Sequence, residues 1–323
     1  MSARTRLILL ASLTGLALFI SLLAGEHAGA RLAALFALPG HDALERELLL
    51  ALRLPRVVSA ASAGALLATA GLAIQARFHN DLAEPGLIGI SGGAALAAAL
   101  ALAARWPTLA VSIAAFGGAL AALLLVSHLA RGRAAATLIL AGVAVNALCG
   151  SLLTLLISTL PDGALRSVTF WLMGSFAGSD GRQAWLLALL AVAVTAALQR
   201  QGRFLQALQL GDRAAFYSGF NVGRSGAVTI ALAALAAGVV VSQCGMVGFV
   251  GLMAPHILRR LTGLHLPTLL KLAPLAGALL TLLADLAARE LLYPAELPVG
   301  VITSLAGAPF FLYLLTRKRP THA

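Results

Sequence analysis

Residues 57–93 read VVSAASAGALLATAGLAIQARFHNDLAEPGLIGISGG. From Val57 to Ala76 no residue is charged, and about 20 such residues are enough to cross the hydrocarbon of a bilayer. An amphipathic surface helix would show a polar face on every turn; this run has none. Arg77, Asp81 and Glu84 then crowd into eight residues. Pro85, Gly86, Gly89, Gly92 and Gly93 break the chain before the next apolar run. A membrane span followed by a glycine- and proline-rich interruption is the unit from which the rest is read.

The pattern of apolar run and polar break recurs throughout. Of 323 residues, 60% are apolar and 11% charged, and the mean hydropathy is +0.94. Soluble domains hold roughly 45–50% and about 25%, so a water-soluble enzyme is excluded. Apolar runs near 7–25, 57–77, 88–104, 108–130, 137–160, 184–199, 225–242, 248–262, 272–292 and 299–316 predict an all-α, polytopic protein with about ten membrane helices. The first run follows Arg4 and Arg6 like a signal peptide, but it is long enough to span and is read as helix 1. No soluble domain interrupts the chain. Residues 1–323 form one transmembrane domain, with the longest breaks at 26–56 and 200–224.

The net charge is +11, from 21 Arg and two Lys against 12 acids. These basic residues are scattered between spans, without a basic stripe or an aromatic platform, so nucleic acid is excluded as a partner. They serve instead to orient the chain. With both termini in the cytoplasm, 15 basic residues fall inside, including Arg77, Arg131, Arg133, Arg200, Arg259, Lys271, Arg317, Lys318 and Arg319. Eight fall outside, among them Arg31, Arg53, Arg56 and Arg289. Arg53 and Arg56 flank Leu54-Pro55, and Arg289 follows Asp285 by four residues. Two readings stay open for them. They are interfacial side chains, with Asp285 and Arg289 as an i,i+4 pair, or a basic ring that receives an acidic partner.

A second interruption, Gly245-Met246-Val247-Gly248-Phe249-Val250-Gly251 through Pro255-His256, falls in the other half of the chain. The helix count places the two interruptions on opposite sides of the membrane. Broken segments at corresponding places suggest an inverted repeat around a translocation path. Gly89, Gly93, Gly248 and Gly251 equally suit close helix packing.

Several chemistries are missing. No G-x-x-x-x-G-K-[ST] occurs, so the chain has no ATPase site of its own. Gly89-Ile90-Ser91-Gly92-Gly93 matches a nucleophile elbow by letter, but that motif needs a strand–turn–helix. No catalytic residue, metal site or cofactor is expected. Cys149 and Cys244 each sit in an apolar run, as buried thiols do. Ionisable groups in the spans are few: Asp285, His128 and His256, the last read as a hydrogen-bonded structural histidine. A transporter without its own ATPase or proton relay needs an external energy source. Loop 200–224 offers a place to attach one. Gly211 to Gly219 reads as a short helix with Asp212 as N-cap, carrying Phe216 and Tyr217. That helix either lies on lipid headgroups or docks into a partner's groove.

Taken in order, these stretches resemble the FecCD/BtuC-like permeases, the membrane subunits of ABC importers for iron-siderophores, haem and cobalamin. The resemblance runs over residues 45–316. It is carried by Arg53-Leu54-Pro55-Arg56, Gln75, Asn80 to Ser91, Leu140-Ala141-Gly142-Val143 and Trp171-Leu172-Met173-Gly174-Ser175. It continues through Gly248-Phe249-Val250-Gly251-Leu252, Pro255-His256, Ala284-Asp285, Glu296-Leu297-Pro298-Val299-Gly300 and Gly307-Ala308-Pro309-Phe310-Phe311. It implies a type II ABC importer permease fold, in a homodimer with its path on the two-fold axis in the bacterial inner membrane. The implied partners are ATP-binding cassette subunits inside and a periplasmic or lipid-anchored substrate-binding protein outside. By resemblance, Arg53, Arg56 and Arg289 dock that protein. Asn80 and Leu82 lie at the inner gate. Leu210, Gly211, Asp212, Ala215, Phe216 and Gly219 couple to the ATPase. Departures are Asn80-Asp81 where the family has Asn-Pro, which should loosen that turn, Ser218-Gly219 for Leu-Gly, and Ala135-Ala136 for a polar pair. The implied cargo is an intact complex: a ferric siderophore first, then haem or cobalamin. Outside the family, the competing readings are a stand-alone secondary transporter and a membrane hydrolase using Ser91.

Overall fold

The computed structural model describes residues 3–24, 43–131, 135–263 and 265–316. Arg31, Arg133, Arg317, Lys318 and Arg319 of the charge count, and the side chains of Ala135 and Ala136, lie outside them. Among the described residues there is no strand. Each of the ten expected segments is helical. Helix α1 is Ala3–Leu23 and α2 is Ala43–Leu48, which runs through the π-turn Leu49–Arg53 into α3, Leu54–Phe78. Then come α4 (Ile90–Ala103), α5 (Thr108–Leu129), α6 (Ala135–Ile157), α7 (Asp162–Met173) and α8 (Gly181–Arg200). Two short helices follow, α9 (Gly202–Leu208) and α10 (Asp212–Tyr217). The chain ends with α11 (Val222–Cys244), α12 (Val250–Thr262), α13 (Leu266–Glu290) and α14 (Val299–Thr316). Seven stretches are long and apolar enough to cross a membrane, and Ile90–Ala103 and Val299–Leu314 are shorter apolar helices. Helices α2, α7 and α9 had no counterpart among the expected runs, because each is short and carries at least one charged residue.

Helix α3 is the core rod. Pro55 sits in its first turn, where no amide donor is needed. His79, left-handed at φ 51°, ends it by donating its N–H to the Gln75 carbonyl. Helices α13, α8, α11 and α12 pack around it. Small residues set the approach: a Cβ on Gly64 would overlap the Gly277 carbonyl of α13, and one on Gly71 would overlap that of Gly251 on α12. Without a hydrophobic drive between helices in lipid, such backbone contact supplies much of the association energy.

The two interrupted segments enter from opposite ends of the bundle and meet inside it. Helix α4 has 14 residues and α12 has 13, about 21 and 20 Å at 1.5 Å per residue, short of the roughly 30 Å hydrocarbon core. Neither spans, so the segment leading into each enters the interior. There the Phe249 N–H donates to Glu84 Oε1 at 2.9 Å, and Gln75 Nε2 donates to the Gly251 carbonyl at 3.2 Å. The close-packing reading holds for Gly93, against Gly118 of α5, and for Gly251. Gly89 serves a different need, a left-handed turn at φ 91° that starts α4.

Candidate functional site

Two sites lie at opposite ends of α3. Arg56 and His79 are 23 residues apart along this helix and its cap, about 34 Å.

At the His79 end, the stretch expected to couple to an ATPase is built from α9, a turn and α10. Gly211, at φ 103°, is the N-cap of α10, and Asp212 is its first helical residue with no side-chain cap bond. This corrects the expectation that Asp212 is the N-cap. The Gly211 conformation favours glycine, while the Asp212 carboxylate meets the positive end of the helix from within its first turn. Gly219, at φ 88°, closes the helix as expected. Ala215 is fully buried and pins α10 to the body. The opposite face projects outward: Leu210 is 81% exposed, Phe216 66% and Tyr217 84%, with the two rings edge to face at 5.9 Å. Three large apolar side chains on a short exposed unit form the kind of patch that marks a contact surface.

This unit is tied to α3. His79 Nε2 donates to the Leu208 carbonyl at 2.7 Å, and Gln209 Nε2 donates to the Ala76 carbonyl at 3.1 Å. Immediately after His79 lies the expected inner-gate stretch. Asn80 Oδ1 accepts from the Leu82 amide at 3.0 Å, so the side chain forms a local turn. Asp81, where the family has proline, pairs with Arg259 of α12 at 2.7 Å. The turn expected to be loosened is therefore held from outside. A polar recess of about 520 Å³, lined by Gln75, His79, Asp81, Gln209 and Arg259, separates this turn from α13.

At the other end of α3, Arg53, Arg56 and Arg289 converge, each turned into the protein. Arg53 Nη1 donates to the Leu22 and Ala24 carbonyls, closing the orphan carbonyls at the end of α1. Arg289 Nη2 donates to the Ser21 carbonyl at 3.0 Å and to Ser21 Oγ. Its Nε lies 3.3 Å from Asp285 Oδ2, the i,i+4 pair read from the sequence. Arg56 Nε donates to both Asp285 oxygens at 3.0 and 3.2 Å, and its Nη1 to both Glu296 oxygens at 3.1 and 2.9 Å. Asp285 is fully buried and Arg56 is 9% exposed, whereas the Glu296 side chain is 51% exposed. Arg56 and Arg289 are thus held in an ion-pair network with Asp285 and Glu296 rather than forming a bare basic ring. Sequence reasoning missed Arg56–Asp285 and Arg56–Glu296 because the partners are 229 and 240 residues apart. It also missed Glu84, whose partner is a backbone amide 165 residues away.

The remaining candidates resolve simply. Both His256 ring nitrogens are buried without a hydrogen-bond partner among the described residues, and the ring packs on Phe310 at 5.5 Å. It is held by ring contact, which corrects the hydrogen-bonded reading. His128 is exposed. Cys244 is buried and Cys149 partly buried, both as free thiols. Ser91 sits in the first turn of α4 behind Gly89, with no strand before it. Among the described residues, no group of three or more His, Cys, Asp and Glu is placed to hold a metal ion. An apolar concavity of about 670 Å³ is walled by Met173, Met246, Phe249, Val301, Leu305 and Pro309, where α7 and α14 face the second interruption.

Spanning helices around a central rod, two short helices meeting inside, and an apolar knob on a loop suit a membrane permease driven by a partner. The comparisons with known proteins agree. The chain belongs to the FecCD transport family, whose pattern matches residues 13–317. It is 41% identical over 280 residues to the hemin transport system permease protein HmuU of Yersinia pestis, covering 83% of each chain. To the vitamin B12 import system permease protein BtuC of Escherichia coli it is 39% identical over 317 residues, 96% of this chain and 94% of that one. Its fold matches a transporter of the metal-chelate ABC type solved in an inward-facing conformation, with a TM-score of 0.88 and 29% identity over 97% of this chain and 99% of that one.

Proposed function

We propose that the chain is the inner-membrane permease of an ATP-driven importer for intact metal–ligand complexes, with both termini cytoplasmic. The observation that carries this reading is the knob of Leu210, Phe216 and Tyr217, an apolar surface anchored by buried Ala215. An ATPase groove that receives it would move α9 and α10 as a body. The His79–Leu208 and Gln209–Ala76 bonds would pass that motion to the end of α3 and to the gate turn at Asn80 and Leu82. Rocking one half of a pair of permeases against the other then alternates access. In this reading the second copy completes the path, and the apolar concavity by Phe249 and Leu305 forms part of its wall. Arg53, Arg56 and Arg289 mark the surface that meets an acidic substrate-binding protein.

The cargo class is a metal held in an organic ligand. Haem, cobalamin and a ferric siderophore stand level: the relatives named above carry hemin and vitamin B12, and nothing in the chain singles out the siderophore. The test is uptake into proteoliposomes that hold the permease with a cognate ATPase subunit. ATP should drive accumulation, and the permease alone under a pH gradient should give none. Gradient-driven uptake without ATP would replace this reading with the secondary transporter.

A further inference from the structure

Arg56 faces two carboxylates of different standing. Asp285 is fully buried on α13, holds Arg56 Nε with both oxygens and shares one of them with Arg289. Glu296 lies on the connection between α13 and α14, is half exposed, and is bonded to Arg56 Nη1. Removing Asp285 would leave the buried Arg289 without its ion-pair partner and Arg56 with Glu296 alone, and an uncompensated buried charge is tolerated poorly. Removing Glu296 frees only Arg56 Nη1 and leaves Nε on Asp285, and a pair with one half-exposed partner is screened more than a fully buried one. The four side chains Arg56, Arg289, Asp285 and Glu296 sum to zero with Glu296 in place and to +1 without it. The cluster therefore has room for one further carboxylate, at the place Glu296 occupies.

We propose that Glu296 is an internal stand-in for the partner's carboxylate: it occupies Arg56 Nη1 in the free permease and gives way to an acidic side chain of the docking protein. This rests on the reading of Arg56 as a docking residue and adds how docking is regulated. While undocked, Arg56 stays neutralised and does not attract unrelated anions. On docking, one carboxylate exchanges for another on the same N–H groups, so no buried charge is left bare at any stage. Like-charge repulsion between the arriving acid and Glu296 then swings the 291–298 connection away. That connection is continuous with α14, which lines the apolar concavity.

The experiment uses the full chain with a cognate ATPase in nanodiscs and, as probe, a cognate substrate-binding protein. Affinity is measured against NaCl concentration for the native chain, Glu296→Gln, Glu296→Asp and Arg56→Gln. Removing the internal competitor should tighten binding at low salt about twofold to fivefold in Glu296→Gln. The salt dependence should steepen, because the cluster is now cationic. Glu296→Asp, with its carboxylate drawn back by one methylene, should fall between. If Arg56→Gln weakens docking while Glu296→Gln leaves it unchanged or weakens it, the exchange is overturned and the docking surface stands. If Arg56→Gln leaves docking unchanged, the docking role itself fails and the exchange with it.

Discussion

Replacing Phe216 by Ala on α10 separates an ATPase-docking helix from one lying on lipid headgroups. An aromatic side chain buries about 150–250 Å² when fully covered. With 66% of Phe216 exposed, roughly 130 Å² remains for a partner to cover, or about 3 kcal/mol at ~25 cal/mol per Å². Partial coverage and the cost of ordering bring a central contact of this kind to about 2 kcal/mol. That corresponds to roughly a 30-fold loss of affinity. Because the ring is exposed and Ala215 anchors the helix, Phe216→Ala should leave the melting temperature of the detergent-solubilised permease unchanged. The assay titrates labelled ATPase subunit onto permease in nanodiscs and follows cargo-stimulated ATP hydrolysis in parallel. Tyr217→Ala, more exposed still, should lower affinity in the same direction. If ATPase affinity stays within twofold of the native chain while the fold is intact, the knob is not the docking surface and the coupling assignment is wrong.

Asp285→Asn should destabilise the chain by about 3–5 kcal/mol, since it strips the ion-pair partner from buried Arg289 and leaves Arg56 with Glu296 alone; an unchanged thermal melt would show that the network contributes nothing. Gly71→Ala should cost about 1–3 kcal/mol through overlap with the Gly251 carbonyl. Gly251→Ala, whose Cβ would meet the Leu67 carbonyl at 3.0 Å and Pro85 at 3.4 Å, should cost less, and the reverse order of melting temperatures would contradict the packing described. The part-exposed Asp81–Arg259 pair should contribute under about 1 kcal/mol to stability. Asp81→Arg should nevertheless raise ATP hydrolysis without cargo, and Arg259→Asp in the same chain should restore it; no rescue would separate the gate turn from α12.

Much of the architecture is readable from single stretches. The charge-free run from Val57 to Ala76 demands a span because its backbone can only satisfy itself in lipid as a helix. Gly211 and Gly219 bracket α10 because each supplies a left-handed turn that other residues resist. The apolar runs at 88–104 and 248–262 were also visible, but not that they fold into helices of only 14 and 13 residues. That they start inside the membrane and bring Glu84 to Phe249 follows from length only once the neighbouring helices are in place.

The sequence by itself therefore determined the long apolar helices, the short α10 and the ordered motifs, because run length, turn chemistry and spacing are local properties. Tertiary structure alone decided which faces meet. Helices such as α5 and α14 are apolar all round and carry no stripe that names a buried side; lipid is as apolar as a protein core, so hydrophobicity selects no partner. Selection passes to small-residue contacts such as Gly64 with Gly277 and to ion pairs such as Arg56 with Asp285 and Glu296. Those are made between residues more than two hundred positions apart. They placed Arg56 and Arg289, two of the three arginines that looked like a bare basic ring, in an ion-pair cluster with Asp285 and Glu296.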